Sequence, residues 1–226
     1  TAQLTHEILE EFFLQTNNYP HAIIMNLSRK KVDANREIKE ATSNCEHSLD
    51  AYNSFHGFIT DSISNVETKF EKGIYIDIHG QSHKHQHIEF GYLLFNDTLK
   101  HDNKILEQHK NTSSIKTLSN FSEHSFVEQL KGDFSLSQLM HDRGFKSIPS
   151  KSMPYANCGN YFEGAYNTQS YGSHNESMVS AIQAEFPFIG CRDTKKNRKK
   201  TAKAFVESLL KFMEVHFDIE LKNNPT

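Results

Sequence analysis

The stretch GIYIDIHGQSHKHQHIEF, residues 73–90, places four histidines and two acidic residues behind a short apolar run. The run GIYIDIHG is typical of a buried strand, and IEFGYLLF (88–95) predicts a second one. MVSAIQAEFPF (178–188) predicts a third. Because these strands alternate with helical segments, the sequence predicts an α/β fold with three layers, in which helices flank a mixed, mostly parallel sheet.

Other elements follow from the same patterns. The segment YPHAIIMNLSR (19–29) predicts one more buried strand, whereas residues 99–119 are polar and are expected at the surface. Helical spacing predicts helices over residues 3–14, 46–58 and 205–216, and two shorter ones that end at Gly132 and Gly144. Because no Pro/Gly/Ser-rich linker divides the chain, we expect a single domain over residues 1–226.

Composition and charge limit the class of protein. A formal net charge of −3 gives no argument for a nucleic-acid partner. The basic run KKNRKK (195–200) has no aromatic residues between its charges, so we interpret it as a solvated surface. No apolar run approaches the roughly 20 residues of a transmembrane helix, so no membrane span is expected. The sequence makes no prediction of the oligomeric state.

The cysteines and the glycosylation sequons bear on the compartment. Cys45, Cys158 and Cys191 are too few and too scattered for a disulfide framework or a CxxC zinc site. One disulfide with a free thiol and three free thiols both remain open. Five Asn-x-Ser/Thr sequons slightly favour a secreted protein over a cytoplasmic one. They begin at Asn26, Asn96, Asn111, Asn120 and Asn175.

The end of the first quoted strand carries side chains that bind metals. Asp77 and His79 lie on the same side of the predicted strand because side chains alternate, and His79 is at the carboxyl end, where α/β sheets bind ligands. His83 follows after Gly80, which permits a sharp turn. Imidazole is a good zinc ligand, and a carboxylate often orients it. By composition alone, a solvated histidine-rich loop is an equally good interpretation.

Two further groups suit substrate chemistry. Arg29, Asn35 and Arg36 follow the predicted strand at 19–29, and such donors suit a substrate carboxylate, although a solvated basic turn is the simpler interpretation. Glu185 lies inside an apolar strand, where burial would raise its pKa and suit it for general acid/base catalysis. The alternative for Glu185 is a structural pair with a buried arginine or a group of backbone amides.

Taken together, these stretches resemble the N-formylglutamate amidohydrolase-like family, and especially its animal branch. The resemblance rests on VDANR, IDIHGQSH, GYLL, PS, YFEGAYNTQSYGS and SAIQAEFP, in that order, between about residues 20 and 190. That family is related to the zinc carboxypeptidases. VDANR is similar to their VDLNR, whose Asn and Arg hold the terminal carboxylate of the substrate, and IDIHGQSH is similar to their strand with the last zinc-binding histidine. The resemblance implies a zinc-exopeptidase-like (phosphorylase/hydrolase-like) fold.

The resemblance also implies a function, which is zinc-dependent hydrolysis of an amide bond in a small carboxylate-bearing substrate, such as an N-acyl amino acid or a peptide end. Glu185 would take a proton from the zinc-bound water and pass it to the leaving nitrogen, and Arg29 would stabilise the oxyanion. Asn35 and Arg36 would hold the substrate carboxylate. The implied zinc ligands are His79 and His83, and further substrate-binding residues are Tyr166, Tyr171 and His174.

One segment of both families has no counterpart here. The carboxypeptidases have an earlier His-x-x-Glu segment and the amidohydrolases a PHxG-like one, and neither pattern occurs upstream of VDANR. Catalytic zinc usually has three protein ligands and a water. We therefore expect a domain that lacks an N-terminal segment of the family. The alternative is a non-catalytic binding or structural protein on the same scaffold, with an incomplete metal site. A third interpretation, prompted by the sequons, is a secreted glycoprotein that acts by binding partners.

Overall fold

The computed structural model describes residues 1–43, 45–157 and 160–221, in which a four-stranded sheet lies among helices. The strands are β1 (Gly73–Gln81), β2 (Ile88–Gly91), β3 (Ser147–Ile148) and β4 (Val179–Pro187). The α-helices are α1 (Ala2–Thr16), α2 (Ile38–Thr42), α3 (Glu46–Phe70), α4 (Asn96–Leu99), α5 (Asn103–Glu107), α6 (Phe126–Lys131), α7 (Leu136–Asp142), α8 (Tyr166–Tyr171) and α9 (Lys195–Phe217). Short helical turns cover Gln108–Thr112, Lys116–Asn120, Ser173–Asn175 and Phe188–Arg192.

The sheet is mixed, in the order β1-β4-β2-β3. Strand β1 runs parallel to β4, β2 runs antiparallel to β4, and β2 runs parallel to the short β3. This arrangement confirms the predicted α/β fold with a mixed sheet and flanking helices. The predicted helices at both ends of the chain and after residue 46 are confirmed as α1, α9 and α3, and the two short ones as α6 and α7.

One face of the sheet is apolar and packs on α9. Alternate residues of β1 and β4, among them Ile76, Ile182 and Phe186, belong to the same hydrophobic core as the buried side chains of α9. The rings of Phe186 and Phe205 meet edge-on, with centroids 5.5 Å apart. Full burial of each such side chain stabilises the fold by roughly 1.5–3 kcal/mol. This face therefore holds α9, and α1 packed against α9, to the sheet.

The opposite face of the sheet is polar towards the carboxyl ends of β1 and β4. Asp77 and His79 lie on this face in β1, and Gln183 and Glu185 lie beside them in β4. Helices α3 and α8 cover it. Because buried polar groups cost free energy unless they are paired, this face needs a network of partners.

The strand predicted at residues 19–29 is wrong. The segment is irregular, and the side chains of Tyr19 and Leu27 are 69% and 46% exposed. A strand needs a neighbour for its backbone groups, and no described strand pairs with this segment, which crosses near the end of β1. The apolar run in its sequence is only partly buried.

The prediction that residues 99–119 lie at the surface holds for 100–105 but not for 113–118, which are largely buried, and the cause is the early end of β2. Leu93 has φ 60°, which strand geometry does not allow, so β2 stops at Gly91 and leaves Ala181 of β4, which pairs with β1 on its other side, without a strand partner on the β2 side. Ser114 takes that place: its carbonyl accepts from the Ala181 N–H at 2.9 Å, and its hydroxyl donates to the Ala181 carbonyl at 2.7 Å. Leu106, Ile115 and Leu118 are fully buried beside it.

Three further predictions concern the surface and the thiols. The basic run KKNRKK forms the first turns of α9, where its lysines are largely exposed. In the part of the chain that the structure describes, no helix combines the length and the apolar character needed to cross a bilayer. Cys45 and Cys191 are free thiols, the first exposed and the second buried, whereas Cys158 lies outside the described residues.

Candidate functional site

The site is built on one row of side chains that crosses three strands. His79 of β1 is in register with Glu185 of β4, and Glu185 is in register with Glu89 of β2. Residues in register on neighbouring strands project from the same face of the sheet, with Cβ atoms about 4.5–5.5 Å apart. The backbone pairing therefore brings one imidazole and two carboxylates together on the polar face.

His79 is held at both ring nitrogens. Its Nδ1 accepts a hydrogen bond from Nη2 of Arg29 at 3.0 Å, and its Nε2 lies 2.8 Å from Oδ2 of Asp77. Because arginine can only donate, the proton of the neutral ring belongs on Nε2, facing the carboxylate. Burial opposes the charged imidazole, but the Asp77 carboxylate outweighs it, and the pKa of His79 is raised.

The irregular segment before α2 supplies the polar partners of His79. Nδ2 of Asn35 lies 3.3 Å from Nε2 of His79, and the Asn35 Oδ1 accepts the backbone N–H of Asn167 in α8 at 2.9 Å. Arg29 approaches His79 from solvent, with 64% of its side chain exposed, and forms an ion pair with Asp33 at 3.7 Å. The structure thus brings together Arg29, Asn35, His79 and Glu185, which the sequence analysis singled out.

Glu185 is a buried carboxylate with a perturbed pKa. It is only 7% exposed, and its Oε1 accepts from Nε2 of Gln183 at 3.3 Å. Burial raises its pKa, and the charges of Glu89 and Asp77 add to the rise, while His79 and Arg29 oppose it. A carboxylate with a raised pKa is a stronger base, which is the property expected of a general base.

Glu89 is a site residue that the sequence analysis missed. It is 2% exposed; its Oε1 lies 2.7 Å from Nδ1 of His83, and its Oε2 accepts the backbone N–H of Phe162 at 2.9 Å. Burial raises its pKa in spite of both contacts. The signal was present in the sequence, because an acid inside the apolar run IEFGYLLF is as unusual as Glu185 in its own strand.

The tyrosines of α8 face α3. The hydroxyl of Tyr171 and Nδ1 of His56 are 2.6 Å apart, and Tyr166 meets the His56 ring edge-on with centroids 5.7 Å apart. Tyr171 also contacts Tyr75 of β1, beside Asp77. Burial raises the pKa of Tyr171 to about 12 and lowers that of His56. Both tyrosines therefore lie near the site, held by His56, which the sequence analysis did not name.

Two predicted residues are not bonded to His79 or Glu185 in the described part of the chain. The guanidinium of Arg36 lies on the surface, 3.5 Å from Glu40. His174, in the turn Ser173–Asn175, has a buried Nδ1 without a hydrogen-bond partner among the described residues, and burial lowers its pKa with help from the charge of Lys116. Within the described chain, neither side chain has a hydrogen bond or ion pair with His79 or Glu185.

Gly80 serves packing instead of a turn. Strand β1 continues through Gly80 to Gln81, and a Cβ at position 80 would collide with the guanidinium of Arg192. That guanidinium donates to the carbonyls of Phe186 at 2.9 Å and Gln81 at 3.0 Å, joining the ends of β1 and β4. The absence of a side chain at Gly80 therefore allows the Arg192 guanidinium to join the carboxyl ends of β1 and β4, where the site lies.

The predicted zinc site does not fit the residues as they lie. Imidazole and carboxylate are suitable donors, but both nitrogens of His79 have protein partners, and His83 is bonded to Glu89. Residues 1–43, 45–157 and 160–221 contain no group of three or more His, Cys, Asp or Glu side chains that could hold a metal ion.

Comparisons with family models, curated proteins and solved structures give no match to this chain.

Proposed function

We propose that this protein hydrolyses an amide bond in a small substrate that bears a carboxylate, such as an N-acyl amino acid or a peptide end. The observation that carries the proposal is the buried Glu185, whose pKa is raised and which is in register with His79 at the carboxyl end of β1. The resemblance to the N-formylglutamate amidohydrolase-like family points to the same reaction. The family assignment and its zinc-exopeptidase-like fold are part of the proposal.

In this reaction, Glu185 takes a proton from the attacking water, and the new carbon–oxygen bond moves the carbonyl electrons onto oxygen. The C=O bond then reforms, the C–N bond breaks with its electron pair on nitrogen, and Glu185 returns its proton to that nitrogen. Arg29 stabilises that oxyanion, since its guanidinium is partly exposed and already aimed at His79. His79 is positioned by Asp77 and keeps Arg29 in place through Nδ1. These roles use only contacts that exist without substrate.

The substrate carboxylate is assigned to Arg36. Its contact with Glu40 is an exposed ion pair, with 48% and 69% of the two side chains accessible. Such pairs contribute only about 0–1 kcal/mol, so a substrate carboxylate can displace Glu40 at little cost. Asn35 holds the segment from within, since its Oδ1 accepts the backbone N–H of Asn167 at 2.9 Å.

A second function is favoured by the contacts of His79, whose two ring nitrogens both have protein partners. Since the described residues do not form a three-ligand site, the scaffold would also suit a protein that binds a carboxylate ligand without hydrolysing it. The zinc dependence implied by the resemblance belongs to the first function. Metal content and activity therefore have to be measured on the same preparation.

The test is release of free amino acid from N-formyl and N-acetyl amino acids by the purified protein, compared with the same compounds whose carboxylate is replaced by a carboxamide. We expect hydrolysis of the carboxylates only. Glu185→Gln should lower kcat/KM by roughly 10²–10⁴-fold. Glu10→Gln, at an exposed position of α1, is the matched control and should leave the rate unchanged.

The outcomes separate the two functions. Ligand binding without turnover, and with equal binding by Glu185→Gln, would support the binding protein. Near-stoichiometric zinc that a chelator removes together with activity, and that His79→Ala abolishes, would support the zinc hydrolase. Equal hydrolysis of carboxylates and carboxamides would refute the assignment of Arg36.

A further inference from the structure

Residues 188–203 concentrate positive charge on a chain that is acidic as a whole. This stretch contains seven lysines and arginines and a single acid, Asp193, whereas the formal net charge of the protein is −3. It comprises the turn Phe188–Arg192 and the first turns of α9. The proposed reaction uses no side chain of this stretch, so its charge calls for a separate explanation.

The lysines of α9 form one exposed side of the helix, which we call the lysine face. They stand in two rows spaced by four residues, and such rows lie side by side on a helix surface. The buried rings of Phe205 and Phe212 lie on the opposite side of α9, in the core. The members of the lysine face, all exposed, are Lys195, Lys199 and Lys203 in one row and Lys196 and Lys200 in the other.

Little of the lysine face serves the stability of the fold. None of the five side chains forms an ion pair among the described residues, where the lysine ion pairs are those of Lys100, Lys151 and Lys211. One contact is present, from Lys200 to the ring of Phe145 at 5.3 Å. Like charges on neighbouring turns repel each other, and the helix dipole favours cations in the last turn instead of the first. The lysine face is therefore a surface whose charge is left for an external partner.

Two large apolar side chains are exposed directly before the lysine face. Phe188 is 52% and Ile189 is 65% exposed, just beyond the end of β4. The turn that carries them is fastened to α9 by Asp193, whose carboxylate accepts the backbone N–H of Gly190 at 3.1 Å and Nδ2 of Asn197 at 2.7 Å. The apolar pair is therefore held at the beginning of the lysine face.

The apolar pair decides which anionic partner fits. Nucleic acid would complement the lysines, but it is bound through cations together with rings that stack on bases, and the aliphatic Ile189 cannot stack. Proteins that bind membrane surfaces combine cations, which are attracted to anionic headgroups, with large apolar side chains that enter the boundary between headgroups and acyl chains. An anionic lipid surface therefore fits both the charge and the apolar exposure of this stretch.

We propose that this protein binds the surface of anionic membranes through residues 188–203, with the lysine face on the headgroups and with Phe188 and Ile189 inserted between them. The binding is peripheral and reversible. Phe188 follows Glu185 by three residues, a reach of at most roughly 11 Å. Membrane binding would therefore bring the candidate site close to the lipid surface.

The first test measures binding of the purified protein to phosphatidylcholine vesicles with and without phosphatidylserine, by co-sedimentation. Each lysine near an anionic surface raises the affinity by about fivefold, so removal of three should lower it by roughly 100-fold. The informative triple variant is Lys196→Gln, Lys199→Gln and Lys203→Gln. The matched control removes the same charge at exposed positions of other segments, with Lys69→Gln, Lys100→Gln and Lys104→Gln, and should lower the affinity by no more than about threefold.

The second test reports insertion of the apolar pair. Because the chain contains no tryptophan, a single introduced one is a specific probe. Phe188→Trp keeps a large ring at this position, and its emission should shift to the blue on vesicles that contain phosphatidylserine and be quenched by lipids brominated in their acyl chains. Phe58→Trp is the control, since Phe58 is 61% exposed on α3, across the sheet from α9, and it should show neither change.

Several results would overturn the proposal. These are the absence of vesicle binding, equal binding with and without phosphatidylserine, equal losses in the two triple variants, and a tryptophan at position 188 that is not quenched. Tighter binding to a single-stranded oligouridylate than to the anionic vesicles would assign the lysine face to nucleic acid and would also overturn it. Because vesicle binding requires no turnover, the result is independent of the proposed hydrolysis.

Discussion

The hydroxyl of Tyr171 in α8 and Nδ1 of His56 in α3 are joined by a hydrogen bond of 2.6 Å. This contact attaches the short α8, which follows a long loop, to the longest helix of the fold. Tyr171 also packs on Tyr75, and through it on the strand that carries His79. The pair therefore connects α8, which covers the polar face of the sheet, to α3 and to β1.

Tyr171→Phe should destabilise the protein by about 1–3 kcal/mol, because Nδ1 of His56, which is half-buried, then loses its hydrogen-bond partner. The measurement is urea unfolding at neutral pH. Tyr19→Phe is the matched control, since Tyr19 is 69% exposed, and it should change the free energy of unfolding little. Equal effects of the two substitutions would mean that the bond to His56 does not stabilise the fold.

Arg29 and Arg36 should affect different kinetic constants. Arg29 contacts His79 at 3.0 Å, so Arg29→Ala should lower kcat; Arg36 pairs with Glu40 at the surface, so Arg36→Ala should raise KM and preserve kcat. Loss of a charge-assisted contact costs roughly 1.5–3 kcal/mol. Steady-state kinetics on one carboxylate substrate measure both values. The reverse pattern would exchange the two roles.

kcat/KM for hydrolysis should fall at acid pH, and the midpoint of this fall should lie above the pKa of an ordinary glutamate. A general base must be ionised, and burial together with neighbouring carboxylates raises the pKa of Glu185, so this residue is still protonated at a pH where an exposed glutamate is ionised. kcat/KM should therefore rise with pH through a midpoint above the ordinary glutamate value of about 4.3. A midpoint at or below that value would exclude Glu185 as the titrating base.

Gly91→Ala should destabilise the protein, whereas Gly57→Ala should stabilise it. A Cβ at position 91 would lie 2.5 Å from the backbone nitrogen of Gly164 and 2.7 Å from the carbonyl oxygen of Phe162, and backbone cannot move aside as a flexible side chain can. Overpacking of this kind costs about 1–3 kcal/mol. Gly57 lies inside α3 with open space around it, so alanine there should add roughly 0.5–1 kcal/mol. Chemical unfolding of both variants compares them directly.

His216 should make the fold less stable as the pH falls from neutral. Its Nδ1 and the hydroxyl of Ser122 are 2.8 Å apart and its Nε2 donates to the carbonyl of Phe134, so the neutral ring is satisfied at both nitrogens. Burial lowers its pKa from 6.5 to about 4. Between these two pH values the unfolded chain binds the additional proton, so stability falls as pH falls, by roughly 3 kcal/mol when the folded pKa is reached.

The measurement for His216 is the free energy of unfolding at pH 7 and pH 5. His216→Gln should reduce the difference between the two, and His47→Gln, at an exposed position of α3, should leave it unchanged. If His216→Gln keeps the full acid dependence, other groups cause it.

The sequence by itself predicted the parts whose cause is local. Apolar runs of strand length gave β1 and β4, and helical spacing gave α1, α3 and α9, because the period of the side chains depends only on the element that carries them. The same reasoning found His79 and Glu185, since a polar side chain at the end of a strand or inside an apolar one is visible in the sequence.

Contacts between distant segments were decided only by the tertiary structure. The run at 19–29 has the composition of a strand, but no strand pairs with it among the described residues. Residues 113–118 are largely buried, because Ser114 bonds the part of β4 that β2 leaves open. The register of β2 on β4 placed Glu89 beside Glu185 and joined His83 to the site. Register, partner and burial depend on which segments meet in space, and the pattern along a single segment does not contain that information.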